Sequence, residues 1–227
     1  MKRCYALLGS MLIFLTFQPS RADVKLIINQ KITSKVNNSH DKTQKTITKI
    51  SWVMTVYISA VKSRYDAEVV TTIIDKDADN ILTIDPSSRT YFSDKYSDLL
   101  KFQASGPQDA VKVTDTGDHV RLLGHNCHHY IVKIIPPKHP SSHYDTFTTY
   151  DMFVTDDFSN DSIDWLSEQF GIQKIPNVKG LPLRLIRNNT YGSLTEEVTS
   201  IDTKKISDDI FSVPKGYKCE GAILNAK

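Results

Sequence analysis

The stretch Ile50-Ser51-Trp52-Val53-Met54-Thr55-Val56-Tyr57-Ile58 decides how the chain is read. Ile50, Trp52, Met54, Val56 and Ile58 fall on one side of an extended backbone. Ser51, Thr55 and Tyr57 fall on the other, and Val53 is the exception. Successive strand side chains point to opposite faces, so apolar residues at every second position define a half-buried β-strand. Most of these residues are β-branched or aromatic, which suits a pleated surface.

The same alternation extends in both directions. Val24 to Ile32 reads as an earlier strand, and the polar Ser34 to Thr43 as a loop between the two. Arg64 to Ile74 is β-rich and stops at the turn-like run Asp75 to Asn80. Ile81 to Ile84 and Thr90 to Phe92 flank Asp85-Pro86-Ser87-Ser88, where Pro presets φ and the Asp and Ser side chains bond nearby backbone. Val111 to Thr114 and His119 to Leu123 flank Asp115-Thr116-Gly117-Asp118, which reads as a second hairpin. Tyr130 to Ile135 ends at Pro136-Pro137; Phe147 to Thr155, Leu183 to Arg187 and Leu194 to Ile201 complete the strands. Two helices are expected. One runs from Asp94 to Phe102, capped by Ser93, with Tyr96, Leu99 and Leu100 on one face. The other follows Asp161 or Ser162, carries Ile163, Leu166 and Phe170 as a stripe, and stops at Gly171. The fold class is therefore α+β and mainly antiparallel: one large curved sheet with short helices over one side.

The first residues point to export. Lys2 and Arg3 precede an apolar stretch from Tyr5 to Phe17, and Pro19-Ser20-Arg21-Ala22 ends on a small residue. That order is the order of a secretory signal peptide cut after Ala22. A retained anchor is the alternative, but the apolar stretch is shorter than the roughly 20 residues a span needs. Residues 1–22 would then be the signal peptide and 23–227 a single domain. The chain has 28 basic and 26 acidic residues. Losing Lys2, Arg3 and Arg21 leaves 25 against 26, a net charge of −1 with histidine neutral. No basic excess remains to hold nucleic acid, and no later stretch is apolar enough to span a bilayer.

Cys127 and Cys219 stay in such a mature chain. They either pair, as an oxidising compartment permits, or remain two separate thiols. Cys127 also lies in the run His125-Asn126-Cys127-His128-His129. On a strand His125, Cys127 and His129 share a face, and imidazole and thiolate suit zinc or copper. The alternative is a His-rich surface strand with Cys127 in the core or in a disulfide. Asp75, Asp77 and Asp79 lack the glycine and distal glutamate of an EF-hand loop and read as a solvated turn. Hydrolase, zinc-protease, phosphate-loop and haem-attachment motifs are missing, so no catalytic residue and no cofactor is assigned.

Three landmarks add a resemblance. Gly124, Cys127 and Tyr130 form a Gly-x-x-Cys-x-x-Tyr spacing, Gly180-Leu181-Pro182-Leu183 leads into a strand, and Ile210-Phe211-Ser212-Val213-Pro214-Lys215-Gly216-Tyr217 closes the domain. The chain thereby resembles bacterial exported domains of unknown function that are grouped, by general fold, with the LolA and LppX type of lipid and lipoprotein carriers. The resemblance implies a half-open β-barrel wrapped around short helices, with acyl chains received between sheet and helices. Trp52, Met54, Val56, Tyr91, Phe147, Met152 and Phe153 are the candidates for such an apolar face. The same residues can equally be packed core. Three functions follow: a non-enzymatic envelope protein holding a lipid, lipoprotein or other apolar ligand; a metal-binding protein using the His and Cys cluster; or an interaction module with a closed core.

Overall fold

The structure is a computed structural model that describes residues 23–37, 44–105, 110–135, 149–158, 175, 177–189 and 192–223. The strands are β1 (Val24–Asn37), β2 (Gln44–Ile58), β3 (Lys62–Asp66), β4 (Thr71–Asp75), β5 (Asn80–Asp85), β6 (Thr90–Asp94), β7 (Ala110–Leu122), β8 (His125–Ile135), β9 (Thr149–Thr155), β10 (Leu181–Asn189), β11 (Gly192–Asp202) and β12 (Lys218–Gly221). Among the described residues, helix α1 (Tyr96–Ser105) follows β6, and a 3-10 turn covers Asp208–Phe211. All twelve strands form one sheet in the order β12-β6-β5-β4-β3-β2-β1-β11-β10-β9-β8-β7. Two meanders, β1 to β6 and β7 to β11, join where β1 pairs with β11. β12 alone is parallel, adding to β6. The sheet stays open between β12 and β7, in keeping with the mainly antiparallel, half-open fold expected from the sequence.

Alternation on β2 survives in three dimensions. Met54 and Val56 are buried, Trp52 and Ile58 are half-buried, and the exceptional Val53 is 56% exposed. Met54 pairs with Ile28 and Val56 with Leu26. These residues belong to the larger core, together with Val132, Tyr150, Met152, Val154, Leu183, Leu185 and Val198. Tyr96 and Leu99 of α1 pack on it, as do Phe158, Ile175 and Val178, so this is the covered, inner face.

A second core occupies the outer face of the first meander. Ile73 and Ile84 meet Ile206 and Phe211, with Tyr57, Leu82, Tyr91, Ile210, Val213 and Tyr217 around them. Neighbours on a strand divide between the faces: Ile73 lies in the outer core and Ile74 in the inner one. The closing motif is thus a packing device. Phe211, Val213 and Tyr217 cover the outer face, and Arg64 Nη1 donates to Ile210 O at 2.7 Å to hold the segment down.

Several local expectations are corrected. The first strand extends to Asn37, and Arg64 to Ile74 is two strands with a turn between. Asp115-Thr116-Gly117-Asp118 is a bulge within β7, and the hairpin turn is Leu123-Gly124. Both turn residues have positive φ, 49° and 87°, as a two-residue turn matched to strand twist requires. In the bulge Gly117 N donates to Asp115 Oδ1 at 2.9 Å, and Thr116 Oγ1 donates to His129 O at 3.0 Å. Asp79, not Ser93, caps α1: Ser97 N and Oγ donate to its carboxylate at 2.7 and 2.9 Å. Leu100 is 43% exposed and leaves the packed face of the helix. The second expected helix and Phe147 lie outside the described residues.

Candidate functional site

The inner face is not uniformly apolar. Gln30, Arg187 and Glu196 point into it from β1, β10 and β11, and each is at most 7% exposed. Gln30 Nε2 donates to Glu196 Oε1 at 2.5 Å, and Arg187 Nη2 donates to Glu196 Oε2 at 2.5 Å. Register places them among the apolar candidates. Gln30 is opposite both Glu196 and Trp52, Glu196 is opposite Leu185, and Leu185 is opposite Met152. Arg187 is opposite Tyr150 on its other side. A row of side chains therefore runs Trp52, Gln30, Glu196, Leu185, Met152, Tyr130 across six strands. Burying an ion pair costs on the order of several kcal/mol per ion in lost hydration, and only close geometry with further hydrogen bonds offsets it. Glu196 meets that condition: both its oxygens accept a hydrogen bond, one from each neighbouring strand.

The candidate ligand residues divide. Met54, Val56 and Met152 share the inner core, and Trp52 extends their face beside Gln30. Tyr91 sits in the outer core, opposite Ile84, and does not join them. Phe153 is half-buried and packs against the same core, and its ring also stacks on His129 at 4.5 Å with 5° between planes, under the Arg184 guanidinium at 5.6 Å.

The His and Cys run on β8 is held by separate partners. His125 Nδ1 hydrogen-bonds with Asp157 Oδ2 at 2.6 Å, and that bond holds the Asp157 carboxyl below its usual range. His129 Nε2 hydrogen-bonds with Asp151 Oδ1 at 3.1 Å, whose other oxygen accepts from Asn188 Nδ2. Cys127 is fully buried between them, and burial pushes its thiol up. Among the described residues no group of three or more His, Cys, Asp and Glu side chains converges as a metal site. In the structure Cys127 and Cys219 are two separate free thiols. Cys127 lies one strand from one end of the sheet order, and Cys219 lies in β12 at the other end.

The resembling landmarks also have structural roles. Gly124 makes the β7–β8 turn and Tyr130 packs on the inner core. Leu181 and Leu183 are buried core residues. Gln30, Arg187 and Glu196 escape a reading based on apolar candidates. Their signal is a polar residue at an inward position: Gln30 follows Leu26 and Ile28, Arg187 follows Leu183 and Leu185, and Glu196 precedes Val198.

An open, mainly antiparallel sheet folded over a helix-covered core defines the class of domain. Residues 40–217 match the family described as domain of unknown function DUF4412, and the chain belongs to it. No curated protein matches the chain in sequence. Among solved structures it is similar to an uncharacterized conserved protein from Thermus thermophilus, at 9% identity and a TM-score of 0.50, covering 88% of this chain and 91% of that one. It is also similar to a candidate outer membrane lipoprotein-sorting protein domain from Vibrio parahaemolyticus (8% identity, TM-score 0.35, covering 85% and 90%). A DUF1329 family protein from Desulfovibrio piger stands at 8% identity and a TM-score of 0.32, covering 86% and 91%. At such identities the likeness concerns the fold alone.

Proposed function

We propose that the chain is an exported, non-enzymatic binding protein of the bacterial envelope that holds an amphiphile, an acyl chain with a polar head, against its inner face. The observation that carries this reading is the buried Gln30–Glu196–Arg187 network set among the apolar side chains of the inner face. A closed core gains little from a buried ion pair, because well-packed apolar residues of similar volume often serve as well or better. A ligand with both an apolar and a polar part uses both kinds of wall. Met54, Val56 and Met152 would meet the chain, and Trp52, Gln30 and Arg187 the head. Each buried methylene contributes about 0.8 kcal/mol, so a few carbons of contact offset the displacement of Tyr96 and Leu99 of α1. The run from Lys2 to Ala22 supports export to the periplasm or the cell exterior.

The test is extraction of the protein, purified from an exporting bacterial host, followed by lipid mass spectrometry and titration with a fluorescent fatty acid. The expected result is a co-purifying amphiphile near one per protein, displaced by the probe. A protein that is empty and also ignores the probe overturns the reading and leaves the inner face a closed core.

A further inference from the structure

The β7 edge of the inner face carries a second constellation. His119 on β7 and His128 on β8 are direct cross-strand partners. Their ring centroids are 4.3 Å apart, with 61° between the planes. Directly opposed strand residues stand on the same face about 5 Å apart at Cβ, so both rings leave the sheet together. β7 ends the sheet order, His119 is exposed and His128 is half-buried, so solvent reaches the pair. Unlike His125 and His129, which each meet a carboxylate, His119 meets the amide of Asn126, and His128 lies near-parallel to the Tyr130 ring at 6.4 Å.

We propose that His119 and His128 form a two-imidazole site for a divalent transition-metal ion, copper(II) ahead of zinc(II), with water completing the coordination. Imidazole is a ligand for both ions, and copper(II) stands above zinc(II) in affinity for a given nitrogen site. An ion about 2.0 Å from one nitrogen of each ring needs the two rings to be near neighbours, as they are here. Bound imidazoles usually donate their other ring N–H to an acceptor. Asn126 supplies one: its amide nitrogen lies 3.2 Å from His119 Nδ1, and a half-turn of the amide brings Oδ1 there instead. His119 Nε2 is then the ligand and Nδ1–H the donor. This site is independent of the amphiphile reading and uses neither Cys127 nor the two His–Asp pairs.

The experiment is calorimetric titration of tag-free protein with copper(II) and zinc(II) salts alone, with electron paramagnetic resonance of the copper form. One copper per chain with hyperfine coupling to two imidazole nitrogens is expected, and weaker zinc binding at the same site. His119→Gln and His128→Gln should each abolish the two-nitrogen spectrum while circular dichroism stays unchanged. Asn126→Ala should weaken binding by about tenfold. The double variant His125→Gln with His129→Gln should leave it intact. Copper binding that survives both His119→Gln and His128→Gln, or that disappears only in the double variant, overturns the proposal. So does an absence of binding at micromolar free metal.

Discussion

At the scale of single residues, the two cysteines show how environment separates identical side chains. Cys127 is fully buried and its thiol is pushed above the ordinary range by lost hydration, whereas Cys219 sits exposed on a four-residue edge strand. The thiolate is the reactive form, so a buried, protonated thiol is inert. With an aromatic disulfide reagent at neutral pH, Cys219 should be modified quickly in the native protein and Cys127 only after unfolding, as mapped by peptide mass spectrometry. Protection of Cys219 before any reduction, reversed by reductant, would show instead that the two are bridged. The charged neighbours follow the same logic. Asp157 is exposed, and its hydrogen bond with His125 holds its carboxyl below the usual range and fixes that ring at the surface.

At the scale of elements, Gly180 shows a sequence landmark whose cause is steric. Its φ is +114°, and a Cβ there would stand 2.1 Å from Thr155 O, across the β9–β10 ladder. Left-handed strain alone costs about 1–3 kcal/mol, and a carbonyl of the neighbouring strand cannot step aside as a flexible side chain can. Gly180→Ala should therefore lower unfolding free energy by at least that amount in urea denaturation; an unchanged midpoint would mean that the strand junction relaxes freely. Much of the element pattern is legible in the residues themselves, because period-2 alternation is local information: β2 can be assigned from nine residues. The β7–β8 turn cannot. Asp115-Thr116-Gly117-Asp118 has all the side-chain chemistry of a turn, yet it forms a bulge. The true turn puts Leu123 at positive φ, a conformation that only the pairing of the flanking strands enforces. The inner-face network is equally hidden. Gln30 and Glu196 are 166 residues apart in sequence, and only the closure of the two meanders through β1 and β11 brings them together.

At the scale of the whole molecule, that closure creates a face with two kinds of wall, and the question is whether the ionic part serves the fold or a ligand. The two roles predict different outcomes for the same pair of variants. Arg187→Met leaves Glu196 charged and 5% exposed in the core, which should cost about 3–5 kcal/mol whichever role is true. Adding Glu196→Gln removes the stranded charge and keeps a partner for the Gln30 amide, so denaturant stability should return to near the wild-type value. If the network only holds the sheet together, this double variant will bind a fluorescent fatty acid as the parent does, or neither will bind it. If Arg187 receives the polar head, the double variant will be stable yet bind the carboxylate probe at least tenfold more weakly. Its affinity for an uncharged alcohol of the same chain length should hardly change, because the chain still meets Met54, Val56 and Met152. Equal losses for acid and alcohol would assign the effect to altered packing and remove Arg187 from the binding site.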